Sequence, residues 1–536
     1  MRLFLGLTVP VVACGLLAGT AQAQLRVANW NISFYTGTGR VADIQAAVYG
    51  VFNGRSMSPD VLALQEFTTA AALSTFVGVL NSAPGSPGDW AAAPFITGPD
   101  TQSVLVYRTS KVDLIRALTI AVGSSASTDQ PRSTYRYDLR AKGYTSANAT
   151  FAIYNVHMKA GDTSADNARR LVESTNIRDN ASGMDTNGAG TGLPAGYHFI
   201  LAGDLNMQSA GQSSYQELIS GAGGNLGRFY DPICRPGIYY TPGGGTDAGS
   251  WNNNPAFAAI HTQDPATTAG MDDRYDQILL GGTLVDSVGM DYVGNPTVRW
   301  NLNTWNDPNH SYRCWGNDGT SYNTPLTTTG NAQVGPAIAQ ALINCATTSG
   351  GHLPVYLDLR VPAKVAAPLT VDFGTVAQGS TATAGLTIGN GGDTALFGAA
   401  GVAALSYTLA ASAGFTAPPG TFTDAAGGAV NTHTITMSTA APGTFSGTIT
   451  VTATGADAPT RTIQVTGRVL PPCGTSDFNG DGDFGTDADI EAFFACLGGT
   501  CCPTCFEGGS DFNGDGDFGT DADIESFFRV LGGSPC

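Results

Sequence analysis

Charge is scarce in this 536-residue chain: Asp, Glu, Lys and Arg together make up 13% of it. Gly, Ala, Ser and Thr are abundant instead, a texture expected of a β-rich exported protein rather than a helical cytoplasmic one. Beyond the N-terminus no segment approaches the roughly 20 apolar residues that a membrane-spanning helix needs, so no span is expected. No glycine loop precedes a helix in the context that cradles a nucleotide phosphate. The run Gly243-Gly244-Gly245 reads as a flexible loop, and nothing points to an organic cofactor. Cysteine is nearly missing from residues 24–470, where only Cys234, Cys314 and Cys345 occur. An odd set leaves at least one of them free or paired elsewhere, and Cys314 with Cys345 is the expected pair. Cations are outnumbered, and the net charge is −18. That balance argues against phosphate-rich partners. The deficit lies mainly in the tail, however, where thirteen acids and one base follow from Cys473 onward. It says little about a cleft upstream.

What is present begins with a leader. Arg2 precedes an apolar stretch over residues 3–17, and Ala21-Gln22-Ala23 has the small-residue spacing of a secretory cleavage site. Residues 1–23 are therefore expected to be a signal peptide, with the mature chain starting at Gln24. Val11-Val12-Ala13-Cys14 offers the rival reading of a lipoprotein box with Cys14 as anchor. Either way the protein is expected to be secreted, periplasmic or held at the cell surface. Length alone predicts about three or four domains, and the texture changes in agreement. Residues 24–364 alternate strand-like runs (25–28, 61–64, 103–107, 151–156, 197–202, 277–280 and 354–361) with helical periodicity over 41–52, 70–81, 166–180 and 334–345. That mixture implies layered α and β structure. From 365 to 470 helical periodicity disappears. Short Thr/Val/Ile runs punctuated by Gly and Pro predict an immunoglobulin-like β-sandwich spacer of about seven strands, in which His433 is a structural residue.

The tail, 471–536, carries an internal repeat: residues 477–491 recur identically at 511–525. Calcium prefers six to eight oxygens converging around a sharp turn. Asp477, Asn479 and Asp481 hold alternate positions of such a loop. Gly482 stands where the turn is needed, Asp483 offers its carbonyl, and Asp487 or Asp489 closes the set, Asp489 being favoured because Ile490 begins a helix. The second copy supplies Asp511, Asn513, Asp515, Asp517 and Asp523. Two identical copies favour Ca2+ binding over an acidic disordered tail. Cys473, Cys496, Cys501, Cys502, Cys505 and Cys536 suggest a disulfide framework of open connectivity. The pair of loops resembles a dockerin, a small helical module that would dock on a cohesin-like or cell-surface partner. An inserted loop residue and the six cysteines depart from that pattern.

In residues 24–364, polar residues recur where strands are expected to end, which is where sheet enzymes place chemistry. Asn31 follows 25–30, Glu66 follows 61–65, and His157 follows 151–156. Asp204 and Asn206 follow 199–203, Asp276 precedes 278–280, and His352 precedes 353–357. Each alone is ordinary, since Asn or Asp after a strand is usually a turn residue. The words that hold them come in a telling order: Asn-Trp-Asn-Ile (29–32), Leu-Gln-Glu (64–66), Asn-Val-His-Met-Lys (155–159), Gly-Asp-Leu-Asn (203–206), Tyr-Asp-Gln-Ile (275–278) and His-Leu-Pro-Val (352–355). Over residues 24–361 the chain resembles the endonuclease/exonuclease/phosphatase superfamily.

That resemblance implies a four-layer α/β/β/α sandwich and a phosphoric ester hydrolase dependent on Mg2+ or Mn2+. Glu66, assisted by Asn31, would hold the metal, which polarises the phosphate. His352 would be the general base, oriented by Asp276. Asp204 and Asn206 would position the nucleophile or the phosphate, and His157 would donate a hydrogen bond or proton. Arg132 and Tyr107 are weaker candidates for supporting contacts. One departure matters: Ser349-Gly350-Gly351-His352 stands where relatives carry Ser-Asp-His, so Gly351 replaces an acid, and Asp318, Asp358 or a water would have to substitute. The expected activity is that of a phosphodiesterase or nuclease, with a phosphate ester, nucleic acid included, as substrate. A phosphomonoesterase or a sphingomyelinase-type phospholipase on the same fold is the alternative, with residues 238–240 as a loop or an apolar hairpin. A catalytically silent, calcium-dependent assembly module is the reading from another class.

Overall fold

The computed structural model describes residues 24–220, 226–233, 251–295, 298, 300–301, 304–346, 351–470 and 473–534. The leader (1–23, with Cys14), Cys234, residues 238–245, Ser349-Gly350 and Cys536 lie outside the described residues. The chain forms two compact units. The first comprises Met1–Ala363, Gly392–Ala404 and Gly455–Asp457; the second comprises Lys364–Gly391, Leu405–Thr454 and Ala458–Cys536.

The first unit opens with β1 (Leu25–Tyr35), α1 (Val41–Tyr49), β2 (Val61–Phe67), α2 (Ala70–Asn81), β3 (Trp90–Ala92) and β4 (Gln102–Arg108). A hairpin of β5 (Val112–Ala121) and β6 (Thr134–Ala141) leads to β7 (Thr150–His157), α3 (Ser164–Ala181), β8 (His198–Asp204) and α4 (Ser213–Ile219). Then come β9 (Phe229–Tyr230), β10 (Asp276–Gly281), β11 (Asp291–Tyr292), β12 (Arg313–Cys314), α5 (Gly335–Cys345) and β13 (Val355–Arg360). One sheet runs β11-β13-β1-β2-β4-β3 with β12 beside β13, and the other runs β5-β6-β7-β8-β10-β9. Strands β1, β2 and β4 face β7, β8 and β10, while α1, α2 and α5 pack together and α3 packs on α4 and β5. Central strands covered on both faces read as near-continuous apolar runs. VLALQEF of β2, TFAIYNVH of β7 and HFILAGD of β8 are accordingly buried almost end to end.

Helix boundaries follow local chemistry. Thr69 caps α2 by accepting from Ala72 N. Thr163 and Asp166 form a capping box at the start of α3, satisfying two N–H groups that would otherwise lack partners. Both extra strands of the β5–β6 hairpin escape the sequence expectation because charged residues interrupt their apolar alternation. Arg136, fully buried, pairs with Asp138 at 2.8 Å and reaches Asn180 and the Thr191 carbonyl. A charge paired in this way tolerates burial. Two other expectations are corrected. Cys314 and Cys345 are both free and buried. Cys314 lies against the His261 carbonyl and Cys345 beside Arg40, so each packs in its own surroundings. The span 365–470, read as free of helix, holds a short helical turn at Thr394–Phe397.

Within the second unit, Val365–Ala366, Ala382–Asn390, Asn431–Met437 and Phe415–Thr416 make a four-stranded sheet. Thr370–Ala377, Thr460–Leu470, Gly443–Thr454, Leu405–Ala411 and Phe422–Asp424 make a five-stranded one. Burial alternates strictly along Thr460–Leu470, the mark of a strand with one face inward. The repeated tail builds its own core from equivalent residues of the two copies. Phe478, Phe493, Phe512 and Phe527 are fully buried, and the Phe493 and Phe527 rings stack at 4.0 Å. Its helices, Asp487–Leu497 and Asp521–Leu531, begin before Ile490 and Ile524, with Asp489 and Asp523 closing capping boxes on Thr486 and Thr520. Cys496 pairs with Cys501 and Cys502 with Cys505, and Cys473 is also disulfide-bonded.

Candidate active site

Strand direction gathers the candidate residues at one end of the first unit. Parallel pairing of β1 with β2 brings Asn31 level with Gln65, beside Glu66. Parallel pairing of β7 with β8 sets His157 opposite Asp204. Two antiparallel strands enter the same end from the other direction: Asp276 starts β10 opposite Asp204, and Val355 starts β13 opposite Asn29, with His352 just before it. Six side chains separated by more than 300 residues in sequence thereby meet.

The acids and amides do not simply follow their strands. Asn31 and Glu66 lie within β1 and β2, at bulges where pairing skips between Asn31 and Tyr35 and between Leu64 and Phe67. Glu66, Ser33 and Phe34 have φ of 64°, 55° and 52°. Left-handed backbone at non-glycine residues costs on the order of 1–3 kcal/mol each and is held here by specific bonds. Ser33 N donates to Asn31 Oδ1 at 3.0 Å, and Phe34 N donates to Glu66 Oε2 at 2.8 Å. Asn31 Nδ2 then reaches both Glu66 Oε1 at 3.0 Å and Asp204 Oδ2 at 3.1 Å. Bulges of this kind re-aim side chains beside functional sites.

His352 is the hub. Its Nδ1 lies 2.7 Å from Asp276 Oδ2, and its Nε2 lies 3.7 Å from Asp204 Oδ2. Burial pushes its pKa down, but Asp276, Asp204 and Glu66 outweigh that and hold it up at about 10. His157 moves the other way. Burial, with Arg132 and His352 nearby, drives it well below the ordinary value, although Nε2 is 3.4 Å from Asp204 Oδ2 and 3.9 Å from Glu66 Oε1. Burial lowers both rings; the acid contacts override it at His352, whereas at His157 the adjacent Arg132 adds to it. Asp204, buried between the two imidazoles and repelled by Asp276, is raised to about 6. Asn206 braces this end: its N donates to Asp204 Oδ1 at 3.1 Å and its Nδ2 to the Met158 carbonyl at 3.2 Å.

Glu66 is the acid with access to solvent. Its side chain is 23% exposed, against 2% for Asp204 and none for Asp276. A hard cation such as Mg2+ keeps several waters and needs only one or two protein carboxylates, which suits one accessible acid. As oriented, Asn31 turns its nitrogen to Glu66 and its oxygen to Ser33, so it aims the carboxylate; to ligate through oxygen its amide would have to turn over.

The weaker candidates separate. Arg132 donates to the His157 and Met158 carbonyls at 3.4 and 3.2 Å and pairs with Asp100 at 2.8 Å, which puts it behind His157. Tyr107 pairs with Val61, at the opposite end of β2 from Glu66. Neither acid named as a substitute at Gly351 fills that place. Asp318 accepts from Thr320 N and Ala332 N in its own loop, and Asp358 is held by Arg26 at 2.7 Å on β13.

Several supporting groups were not foreseen from sequence. Thr262 accepts from Asp276 N through its hydroxyl at 3.1 Å and from Leu353 N through its carbonyl at 2.7 Å, joining the two halves of the His–Asp pair. Trp30 Nε1 donates to the His352 carbonyl at 3.1 Å. Beneath the cluster Gln65 Nε2 bridges Asn29 and Asn155, both at 2.7 Å, and all three are fully buried. A signal did exist: Asn29, Gln65 and Asn155 are amides inside largely buried strands, one or two positions from Asn31, Glu66 and His157.

In the tail loops, Asp477 accepts from Asp481 N and Gly482 N at 3.1 Å each, Asn479 donates to Asp481, and Asp483 N bonds Asp481. The second copy repeats this through Asp511, Asn513, Asp515 and Asp517. Asp511, Asp515 and Asp523 present ligand atoms within 4.8 Å of one another, the only such trio among the described residues.

No family model matches the chain, and no curated protein does. Solved structures give likenesses. An endonuclease/exonuclease/phosphatase family protein from Bacteroides thetaiotaomicron shows 15% identity and a TM-score of 0.33, covering 63% of this chain and 97% of that one. A mannosyl-6-phosphatase from the same organism shows 15% identity and a TM-score of 0.33, with coverages of 62% and 99%. The beta toxin of Staphylococcus aureus shows 11% identity and a TM-score of 0.33, with coverages of 62% and 99%. At these values the likenesses assign neither activity nor substrate.

Proposed function

We propose that this protein is an exported, divalent-metal-dependent phosphoric ester hydrolase acting on phosphodiesters. In this reading a four-layer α/β/β/α catalytic domain (24–364) is followed by an immunoglobulin-like spacer (365–470) and a dockerin-like, Ca2+-binding tail (471–536). The observation that carries the catalytic part is the convergence of Glu66, Asn31, Asp204, His157 and the His352–Asp276 pair at one end of two facing sheets.

Glu66, aimed by Asn31 and the Phe34 N–H, would hold Mg2+ or Mn2+. Such a cation would supply charge neutralisation to a bound phosphoryl group and would offset the acids that hold His352 up. His352 Nε2, the nitrogen not engaged by Asp276, faces the Asp204 side and would take the proton of an attacking water. Asp276 fixes the tautomer and stabilises the imidazolium that results. His157, kept neutral, donates a hydrogen bond rather than a proton. Asp204 and Asn206 position the water and the phosphate.

The test is hydrolysis of bis(nitrophenyl) phosphate by the mature chain with Mg2+ or Mn2+, with chelator, and by His352→Ala. Metal-dependent turnover lost in the variant supports the reading despite Gly351. A folded protein active only on the matching monoester would move it to the phosphomonoesterase class, and one inactive on both would overturn it.

A further inference from the structure

We infer that Phe34 sets the specificity of this site, its ring forming an apolar face for the group esterified to the phosphate, so that aromatic esters, aryl or nucleoside, bind in preference to alkyl ones. The inference rests on the ester-hydrolase reading above and adds the class of leaving or flanking group.

The β1 bulge splits consecutive aromatic residues. Tyr35 turns inward, fully buried, and meets Phe67 and Phe76 with ring centroids at 5.3 and 5.6 Å. Phe34 turns outward and is 59% exposed. Among the described residues of the first unit it is the only exposed Phe or Trp; all others are buried or half-buried. Its position is tied to the chemistry, since its own N–H holds Glu66 Oε2. An exposed single apolar residue is ordinary on a surface, but this one occupies left-handed backbone at φ 52°. A glycine would supply the same N–H without strain. The Phe34 side chain is therefore kept where the backbone disfavours it, beside the one solvent-accessible acid of the cluster. Flat π faces stack on aromatic groups of many sequences and shapes, which suits an ester with an aryl or nucleobase component and gives nothing to a small alkyl group.

The experiment uses two inert probes that share one head group, phenylphosphonate and methylphosphonate, titrated calorimetrically into the full chain with Mg2+. Wild type is expected to bind the phenyl compound roughly tenfold more tightly, in line with single-ring stacking. Phe34→Ala should bring the ratio of the two affinities close to one, whichever way the absolute values move, and Phe34→Trp should preserve it. An unchanged ratio in Phe34→Ala, or binding of both probes without phenyl preference in wild type, overturns the inference while leaving the hydrolase reading standing. Binding of neither probe by folded protein overturns the inference, and turnover of bis(nitrophenyl) phosphate by the same sample then decides the hydrolase reading separately.

Discussion

The cluster around His352 and the tail loops are both sets of oxygen and nitrogen donors, yet they are built in opposite ways. The tail site is local. Asp511, Asp515 and Asp523 lie within a single loop and helix start, and backbone N–H groups of neighbouring residues fix each carboxylate. The cluster around His352 is assembled from four strand ends and two bulges, and what fixes it lies below and behind: the Gln65 bridge, Thr262, Trp30 and Asn206. A local site can be copied by duplicating a short stretch of sequence, as residues 477–491 and 511–525 show. An assembled site depends on the register of every strand that feeds it.

That contrast can be broken most directly by removing the groups proposed above for catalysis. Glu66→Ala or His352→Ala should lower metal-dependent ester hydrolysis by at least about a hundredfold, while Ca2+ titration of the same variants stays at the wild-type value. Near-normal rates would sink the site assignment, and lost Ca2+ binding would sink the independence of the two regions. The reciprocal variants come next. Asp511→Ala should weaken Ca2+ binding more than Asp477→Ala, because only the second copy brings three carboxylates within 4.8 Å; equal losses would mean that sequence identity, not this geometry, decides. Gln65→Leu should then destabilise the first unit by about 1–3 kcal/mol, since it strands the buried Asn29 and Asn155 amides. Urea unfolding measures this, and a variant as stable as wild type would show that the bridge fixes nothing.

A further test sharpens the same point through pH. Glu173, buried behind Lys159, accepts from Lys159 N at 3.1 Å. Burial raises its pKa from 4.5 to about 8, against the opposing pull of that bond and of Arg132 and Arg170. The folded state thus binds the proton more tightly than the unfolded one. Its contribution to stability is present below about 4.5 and is lost as pH rises towards 8, by at most about 1.4 kcal/mol per pH unit. Glu173→Gln should therefore flatten the fall of Tm between pH 5 and pH 8. Parallel Tm profiles for the two proteins would contradict the assignment.

The same contrast explains what could be read from sequence. Local features were legible: the α2 span, the turn glycines and carboxylates of the tail, and the order of polar residues near strand ends. Features set by partners elsewhere in the chain were not. Arg136 and Asp138 look like surface charges until the pair is seen buried against Asn180. Asn31 and Glu66 were expected after their strands, whereas paired bulges place them inside. Cys314 and Cys345 count as a pair by arithmetic, but the fold packs each alone. Tyr107 sits on a strand of the right sheet and at the wrong end of it.

The two short segments Gly392–Ala404 and Gly455–Asp457 belong to the first unit although they lie far beyond its last strand in sequence. Asp457 accepts from Thr145 N and Ser146 N, the Lys111 ammonium donates to the Leu396 carbonyl, and Phe397 packs edge-on to Tyr144. A gene fragment ending near codon 364 would therefore encode a protein with several seats left empty. For an engineer, or for recombination in nature, the transferable cassette must run past residue 457 to the end of strand Thr460–Leu470, which pairs with Gly443–Thr454, and a cut at the border suggested by composition would move an incomplete part.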